Sequence, residues 1–374
     1  MKLERRLTQP RWLSVAVPVG SLIVAFAIMG VVLALTGHSP GDTYRKILEA
    51  GFTGNGAMSA TLISATPILF TGLAAAAAFR MQLFNIGAEG QLYLGAVGAS
   101  WIALQLGDRD ATSTPLFVVA MCAAAAVLGA LWALIPGVLR AFARTNEIIT
   151  SLMLNYVAGL LLTYLIFDSS SYWRDTSTLQ ARAFPQGKPM PEASNWSTFG
   201  TSVVVPLGFL IGILTAFVLW VLYTRMRFGF EVGVIADSPR AARYAGMRTR
   251  RKILSVMALS GAIAGIGGAS QIGDFTHTLD GSPTGLQAAA FGYTGIVVAA
   301  LARYNPFAVC LVAVLIGGLQ NAGYTLQGPD FPSGLVGVMQ GIILFCALGG
   351  ELLLRYRVRI ARVRAGKPVA EGAT

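Results

Sequence analysis

The run FNIGAEGQLYLGA, residues 84–96, sets Asn85, Glu89, Gln91 and Tyr93 among apolar neighbours, with glycines at 87, 90 and 95. An acidic side chain is expensive there: an Asp at the centre of a membrane helix costs roughly 2.5–3.5 kcal/mol on insertion scales. Such groups face a bundle interior or a wet cavity and are functional candidates by default. Asn85, Glu89 and Tyr93 follow i, i+4, i+8 spacing, which predicts one shared helix face. Glu89 can serve as a carboxylate or, protonated, as a hydrogen-bond donor.

Other apolar stretches repeat the pattern. Glu147, Ser151, Asn155 and Thr163 fall on one face of a second segment, and Ser260, Gly267 and Gln271 on one face of a third. Gln287, Phe291 and Thr294 do so in a fourth, while Gln320, Asn321 and Tyr324 cluster in a fifth. Five striped helices can surround a polar path. We expect Asn85, Glu89, Gln91, Tyr93, Ser151, Asn155, Gln271, Phe291, Tyr293 and Asn321 to line it. The competing use is structural, because Asn, Gln and Ser also hold membrane helices together by hydrogen bonds of about 0.6 kcal/mol each. Gly261 and Gly265 in LSGAIAGIGGAS have the spacing of close helix–helix approach, which is architecture rather than chemistry.

The elements carrying these residues follow from composition. The chain has 374 residues, 55% hydrophobic and 12% charged, with mean hydropathy +0.64. A soluble domain carries about 25% charged residues. The sequence predicts an all-α, polytopic membrane protein of about ten spans, since stretches of about 20 apolar residues are spanning candidates. They fall near 12–36, 57–79, 85–107, 114–139, 147–167, 203–223, 253–271, 287–302, 307–324 and 333–353. The polar residues and glycines at 85–91 could also mark a break inside the membrane. The first stretch outruns a signal-peptide core and lacks an A-x-A-like site, so it is expected to stay as a span.

The formal net charge of +11 suggests nucleic acid until its distribution is followed. With the N-terminus inside, 22 of the 28 Lys and Arg fall in cytoplasmic segments, and six (Arg45, Lys46, Arg109, Arg174, Arg182 and Lys188) fall outside. That is the positive-inside asymmetry, and it fits both termini in the cytoplasm. Cys122, Cys310 and Cys346 stand alone in apolar segments, as small hydrophobes do. His38 and His277 are isolated, so no metal centre is expected.

The chain reads as one transmembrane domain over 1–374, with a cytoplasmic N-terminus at 1–11 and tail at 354–374. Its outer loop at 168–202 is polar and carries Trp173 and Trp196, suited to the membrane interface or to a partner from outside. The inner loop at 224–252 contains DSPRAARYAG. Asp237 or Ser238 can cap a helix there, Pro239 suits its first position, and Gly246 suits the left-handed residue after its end. A short capped helix exceeds what topology requires, and we expect it to dock a cytoplasmic partner.

No G-x-x-x-x-G-K-[ST] motif is present, so hydrolysis of ATP by this chain alone is not expected. No metalloprotease or serine-hydrolase motif appears either, and a transport subunit rather than an enzyme is expected. Ion-coupled transport has Glu89 as its clearest relay. A membrane-anchored scaffold or receptor is the remaining class.

FNIGAEGQLYLGA, then TNEIITSLMLNYVA, then DSPRAARYAGM followed by LSGAIAGIGGA, together resemble the permease subunits of bacterial ATP-binding-cassette (ABC) importers for nucleosides and simple sugars. These form part of the branched-chain amino acid and ribose permease superfamily. The resemblance runs in order over roughly residues 55–350. The run at 240–246 also resembles the E-A-A-x-x-x-G signature of importer coupling loops at Ala241, Ala242 and Gly246, with Arg240 in place of its Glu.

The resemblance implies a heterodimeric pore with a second, homologous permease, and an extracytoplasmic binding protein or lipoprotein. It also implies a cytoplasmic ATPase that binds ATP and magnesium, this chain binding no cofactor. Coupling contact is implied at Pro239, Arg240, Ala241, Ala242, Arg243 and Gly246. The implied location is the bacterial cytoplasmic (inner) membrane. Polar stripes with few charges, and Tyr156, Phe291 and Tyr293 nearby, suit a nucleoside; a ribose-like sugar is the alternative.

Overall fold

The computed structural model describes residues 2–5, 13–107, 114–168, 170–281, 286–327 and 334–359. The two ends of this range pair as antiparallel strands, β1 (Lys2–Arg5) on the last strand, β4 (Tyr356–Arg359). The chain is otherwise mostly helical. In order come α1 (Leu13–Leu35), α2 (Pro40–Leu48), α3 (Ala57–Phe79), α4 (Ala88–Leu106), α5 (Thr114–Val138) and α6 (Glu147–Phe167). After α6, a connection holds α7 (Leu179–Ala183) and a small hairpin, β2 (Thr198–Phe199) with β3 (Val205–Pro206). Then follow α8 (Leu207–Thr224), α9 (Arg227–Asp237), α10 (Pro239–Tyr244), α11 (Thr249–Gln271), α12 (Leu286–Ala289), α13 (Phe291–Leu301), α14 (Pro306–Thr325) and α15 (Leu335–Arg355).

A helix lies at each of the ten apolar stretches, and α3 and α6 coincide with the predicted limits to the residue. Among the described residues, six helical segments are long and apolar enough to cross a membrane: Ala57–Phe79, Pro115–Ala143, Glu147–Phe167, Leu207–Thr224, Thr249–Thr276 and Pro306–Thr325. The eighth predicted segment, 287–302, is not one helix. It breaks at Ala290, which takes φ +49, and leaves α13 only 11 residues long. The N-terminal stretch 6–12 and the tail from 360 lie outside the described residues.

The packing repeats itself in two halves. α3, α4 and α5 form one triplet, and α11, α13 and α14 the other. α3 packs on α13 and α14 as α11 packs on α4 and α5, and α3 also packs against α11. Directions match as well. Gly72 meets Val309, Ala65 meets Gly317 and Thr61 meets Asn321, so α3 and α14 are antiparallel. Gly137 on Met257 and Gly129 on Gly261 make α5 and α11 antiparallel in the same way. Phe70 touches Gly267 while Ala74 accepts a hydrogen bond from Ser260, so α3 and α11 themselves run oppositely. The triplets are therefore related as an inverted repeat, an arrangement in which sites lie where the repeats meet.

Close approach is what the glycines supply. A methyl group at Gly265 would meet the backbone of Ala125, and one at Gly95 would meet the backbone of Gly265. Small residues allow such approach where lipid offers no hydrophobic drive between helices.

Candidate functional site

Each triplet contains a break between its first two helices. In the first, residues 80–87 are not α-helical, and α4 starts only at Ala88. The spacing that predicts Asn85 on a face with Glu89 and Tyr93 is therefore corrected: Asn85 precedes the helix, whereas Glu89 and Tyr93 do share a face. Irregular backbone at membrane depth must find partners inside the protein. The stripe on α6 provides them. Glu147 Oε1 accepts from Phe84 N at 3.4 Å, Ser151 Oγ from Ile86 N at 3.2 Å, and Asn155 Oδ1 from Gly90 N at 2.9 Å. Asn155 Nδ2 donates back to Ile86 O at 2.8 Å.

Asn85 and Gln91 complete this structure. Each donates its amide to the other's oxygen at 3.0 Å, and Asn85 Nδ2 also donates to Ser260 Oγ at 2.9 Å. Asn85 Oδ1 also accepts from Gly87 N at 3.0 Å. Ser260 donates onward to Ala74 O at 2.7 Å. These side chains are buried and engaged with one another and with backbone.

Glu89 reaches the second triplet. Its Oε1 accepts from Tyr93 Oη at 2.5 Å, and its Oε2 accepts from the backbone amide of Gly292, in the first turn of α13. The first four amides of a helix lack internal partners and carry partial positive charge. Ala290, preceding α13, offers no side-chain cap. Glu89 supplies one from α4, so a carboxylate joins the two triplets at the start of a broken helix.

Beside this junction lies an open cleft of about 680 Å³ between α4, α6, α12 and α13. Glu89, Tyr93 and Asn155 are buried at its floor, and Tyr156 and Tyr293 stand at its rim, 70% and 42% exposed. Asn155 Nδ2 lies 3.4 Å from Tyr293 Oη. Gln287 of α12, also in the wall, donates to Gly159 O at 2.7 Å and Thr163 Oγ1 at 3.1 Å, while its buried Oε1 has no partner among the described residues. The cleft thus offers neutral hydrogen-bonding groups and two phenol rings; its one carboxylate is already held by a hydroxyl and an amide.

Of the predicted path residues, Glu89, Tyr93, Asn155 and Tyr293 meet in this cleft. Asn85, Gln91 and Ser151 lie in the packing behind it. Gln271 and Phe291 line a second cavity, of about 270 Å³, on the other side of α12 with Ser64, Asp280 and Tyr324. Asn321 stands apart and donates to Ala50 O at 3.1 Å and toward Ala57 O and Thr61 Oγ1 at 3.4 Å, tying α14 to the start of α3.

Gln287 and Asp274 are additional. Gln287 shows in the sequence only as one member of a stripe. Asp274 sits in a π-turn (272–276) that prolongs α11 beyond the predicted 271, and its Oδ2 accepts from Gly208 N at 3.0 Å at the start of α8.

The predicted short helix at the basic loop is present. Ser238 Oγ accepts from Ala241 N at 3.3 Å, Pro239 occupies the first turn, and Gly246 takes φ +76. Met247 N donates to Ala242 O at 3.0 Å, closing the end as a Schellman motif does. Ala242 is buried and anchors α10, while Arg240, Ala241, Arg243 and Tyr244 are exposed.

Residues 57–348 match the model for the permease component of branched-chain amino acid transport systems. The whole chain is 33% identical to the glucose ABC transporter permease protein of Haloferax volcanii, covering 97% of that protein. It is 30% identical, over 88% of its length and 91% of the relative's, to the guanosine ABC transporter permease protein NupP of Bacillus subtilis. A nucleoside ABC transporter permease of Lactococcus lactis is 27% identical over 88% of this chain and 90% of its own.

Proposed function

Since the chain belongs to the permease family of branched-chain amino acid transport systems, we propose that it forms part of the membrane path of an ABC importer for a nucleoside. The observation that carries this is the cleft at Glu89. Its polar floor holds no uncommitted charge, which suits a neutral solute, and the rings of Tyr156 and Tyr293 suit a flat base, for which stacking contributes about 1–3 kcal/mol. A sugar is the second reading, favoured by the likeness to a glucose permease.

The cleft is open at Tyr156 of α6 and Tyr293 of α13, both exposed. Polar walls do not face lipid, so a second, homologous permease covers this side and the path runs between the two chains. Ten spans with both termini cytoplasmic, in a bacterial inner membrane, agree with the charge asymmetry and with the pairing of β1 and β4. The chain forms one domain, 1–374. α10 is the coupling contact of a cytoplasmic ATPase, which binds ATP and magnesium; this chain binds no cofactor. An extracytoplasmic binding protein or lipoprotein meets the 168–202 connection.

ATP can drive transport only if the ATPase binds two states of the permease unequally. Arg240 and Arg243 are exposed for that contact, Ala242 fixes the helix to the body, and Gly246 closes it. Gly246→Val, strained at φ +76, combined with Arg243→Ala should abolish uptake while the chain still inserts in the membrane. Normal uptake by that variant removes α10 as the contact.

The substrate is tested by uptake of labelled adenosine, uridine, glucose, ribose and leucine in cells with and without this chain. Loss of nucleoside uptake alone supports the reading. Loss of sugar uptake alone keeps the importer and replaces its substrate.

A further inference from the structure

A second concave surface lies far along the chain from the cleft residues of α4 and α6. It occupies about 630 Å³ between α9, the turn after α10 and the first two turns of α11. Arg227, Arg248, Arg251 and Lys252 line it, with Glu231 as its one acidic residue. Lys252 Nζ sits 2.6 Å from Glu231 Oε2 and 4.5 Å from the centre of the Phe228 ring, so that pair is self-contained. Arg227, Arg248 and Arg251 are exposed and have no ion-pair partner among the described residues. Three unengaged guanidinium groups around one pocket repel each other, and an anion with several oxygens relieves that. Guanidinium forks match phosphate oxygens two at a time.

Position selects the source of the phosphate. α8 ends at Thr224 and α11 begins at Thr249, both within helices apolar enough to span a membrane, so the pocket sits where the chain leaves and re-enters lipid. Its wall carries Phe230, 67% exposed, and Met226, which precedes Arg227 in sequence, is 53% exposed. Exposed apolar groups next to unpaired arginines suit a molecule with an anionic head and an acyl tail. Basic pockets at the cytoplasmic ends of membrane helices take such headgroups.

We propose that this pocket binds the phosphodiester headgroup of an anionic phospholipid, held by Arg227, Arg248 and Arg251. Gly246 and Met247 share the pocket wall with these arginines. A bound lipid therefore touches the end of α10, and the lipid content of the membrane bears on the setting of that helix. The binding itself rests on the chain's place in the membrane, whatever solute the cleft carries.

The test uses the full chain, delipidated in detergent, with native mass spectrometry reading bound phosphatidylglycerol against phosphatidylcholine. Arg248→Gln/Arg251→Gln and Arg227→Gln are compared with the wild type and with Arg45→Gln, a control remote from the pocket. Melting curves in phosphatidylcholine verify that each variant is folded. We expect the wild type and Arg45→Gln to prefer phosphatidylglycerol at least tenfold, and the double variant to lose most of that preference. Millimolar inorganic phosphate should not displace the lipid.

Equal binding of the two lipids, or an unchanged preference in a folded double variant, overturns the proposal. Displacement by inorganic phosphate reassigns the pocket to a soluble anion. Loss of the ATPase subunit from the double variant, with lipid preference intact, makes it a protein dock instead. Solute uptake is read separately, so failure of the importer reading is distinguishable from failure here.

Discussion

The two breaks in the inverted repeat use polar residues in opposite ways. At 80–87 the loose backbone is matched closely: Asn85, Gln91, Ser151, Asn155 and Ser260 each bond to a neighbour or to backbone, over a connection of eight residues. Between α11 and α13 the described part is tied as well: Asp274 Oδ2 accepts from Gly208 N at 3.0 Å, Asp280 Oδ1 from Gly187 N at 3.2 Å, and the carbonyls of Gly273 and His277 from Trp196 N and Met190 N at 2.9 Å. Gln287 bonds to α6, Gln320 Nε2 donates to Ala289 O at 3.2 Å, and Glu89 holds Gly292. Acceptors there lack a partner among the described residues, namely Gln287 Oε1, Gln320 Oε1 and Asp274 Oδ1. Left-handed backbone occurs in both breaks, at Gln82 (φ +57) in the first and at Ala290 (φ +49) in the second, each costing a non-glycine residue about 1–2 kcal/mol. One break is a scaffold. The other borders the cleft and has hydrogen-bonding capacity to spare for a passing solute or water.

The largest effect should come from dismantling the scaffold. Asn85→Ala leaves the Gln91 amide and the Gly87 N–H without their partner, and each unsatisfied buried group costs about 1–3 kcal/mol. We expect a loss of about 3 kcal/mol, read as a lowered melting temperature and a poor yield in detergent. An unchanged melting curve would remove the distinction between the two breaks.

Glu89→Ala should come next, removing the cap of α13 and a wall of the cleft together. Uptake should fall at least tenfold, equivalent to about 1.4 kcal/mol. Glu89→Gln, which keeps an acceptor for Gly292 N–H, should recover part of it. Equal loss in both would assign the role to the charge rather than to the hydrogen bond.

Gln287→Ala should leave melting within about 0.5 kcal/mol of wild type, as for a weakly coupled site, yet lower the affinity of uptake. Ala290→Gly probes the backbone of the second break directly. It should stabilise the chain by about 1 kcal/mol, and a destabilised variant would show that the second break is not strained.

The smallest effect is expected in the connection after α6. The backbone amide of Ser177 donates to Asp175 Oδ1 at 2.9 Å and holds that carboxyl below its usual value of 3.8. A lowered folded-state pKa gives stability that is present above 3.8 and fades as pH falls through the folded value. Limited proteolysis at 170–190 should therefore quicken only below about pH 4, and not between pH 5 and 8.

Much of this was legible in the sequence where the signal is local. Apolar runs located α3 and α6 to the residue, and Ser238, Pro239 and Gly246 located α10, because capping involves residues a few positions apart. Asn85 shows the limit. Its i, i+4 relation to Glu89 presumes a helix that starts three residues too early, and the polar residues and glycines at 85–91 are the warning of a break there. The contact between Glu89 and Gly292 spans 203 positions and uses a backbone amide, which every residue but proline carries, so no residue type announces it. Asn321 and Asn155 look alike in their stripes. Only the packing shows that Asn321 ties α14 to the start of α3, whereas Asn155 both ties α6 to the 80–87 break and lies on the cleft floor.

The most direct test of the cleft as the path is labelling during transport. In a chain with Cys122, Cys310 and Cys346 replaced by Ala, Met153→Cys on the cleft wall is compared with Leu311→Cys on α14, both exposed positions. We predict that a thiosulfonate reagent blocks uptake through Met153→Cys, that guanosine slows the block, and that Leu311→Cys is indifferent. Undiminished uptake in fully labelled Met153→Cys, or equal block at both positions without protection, would contradict the cleft as the path.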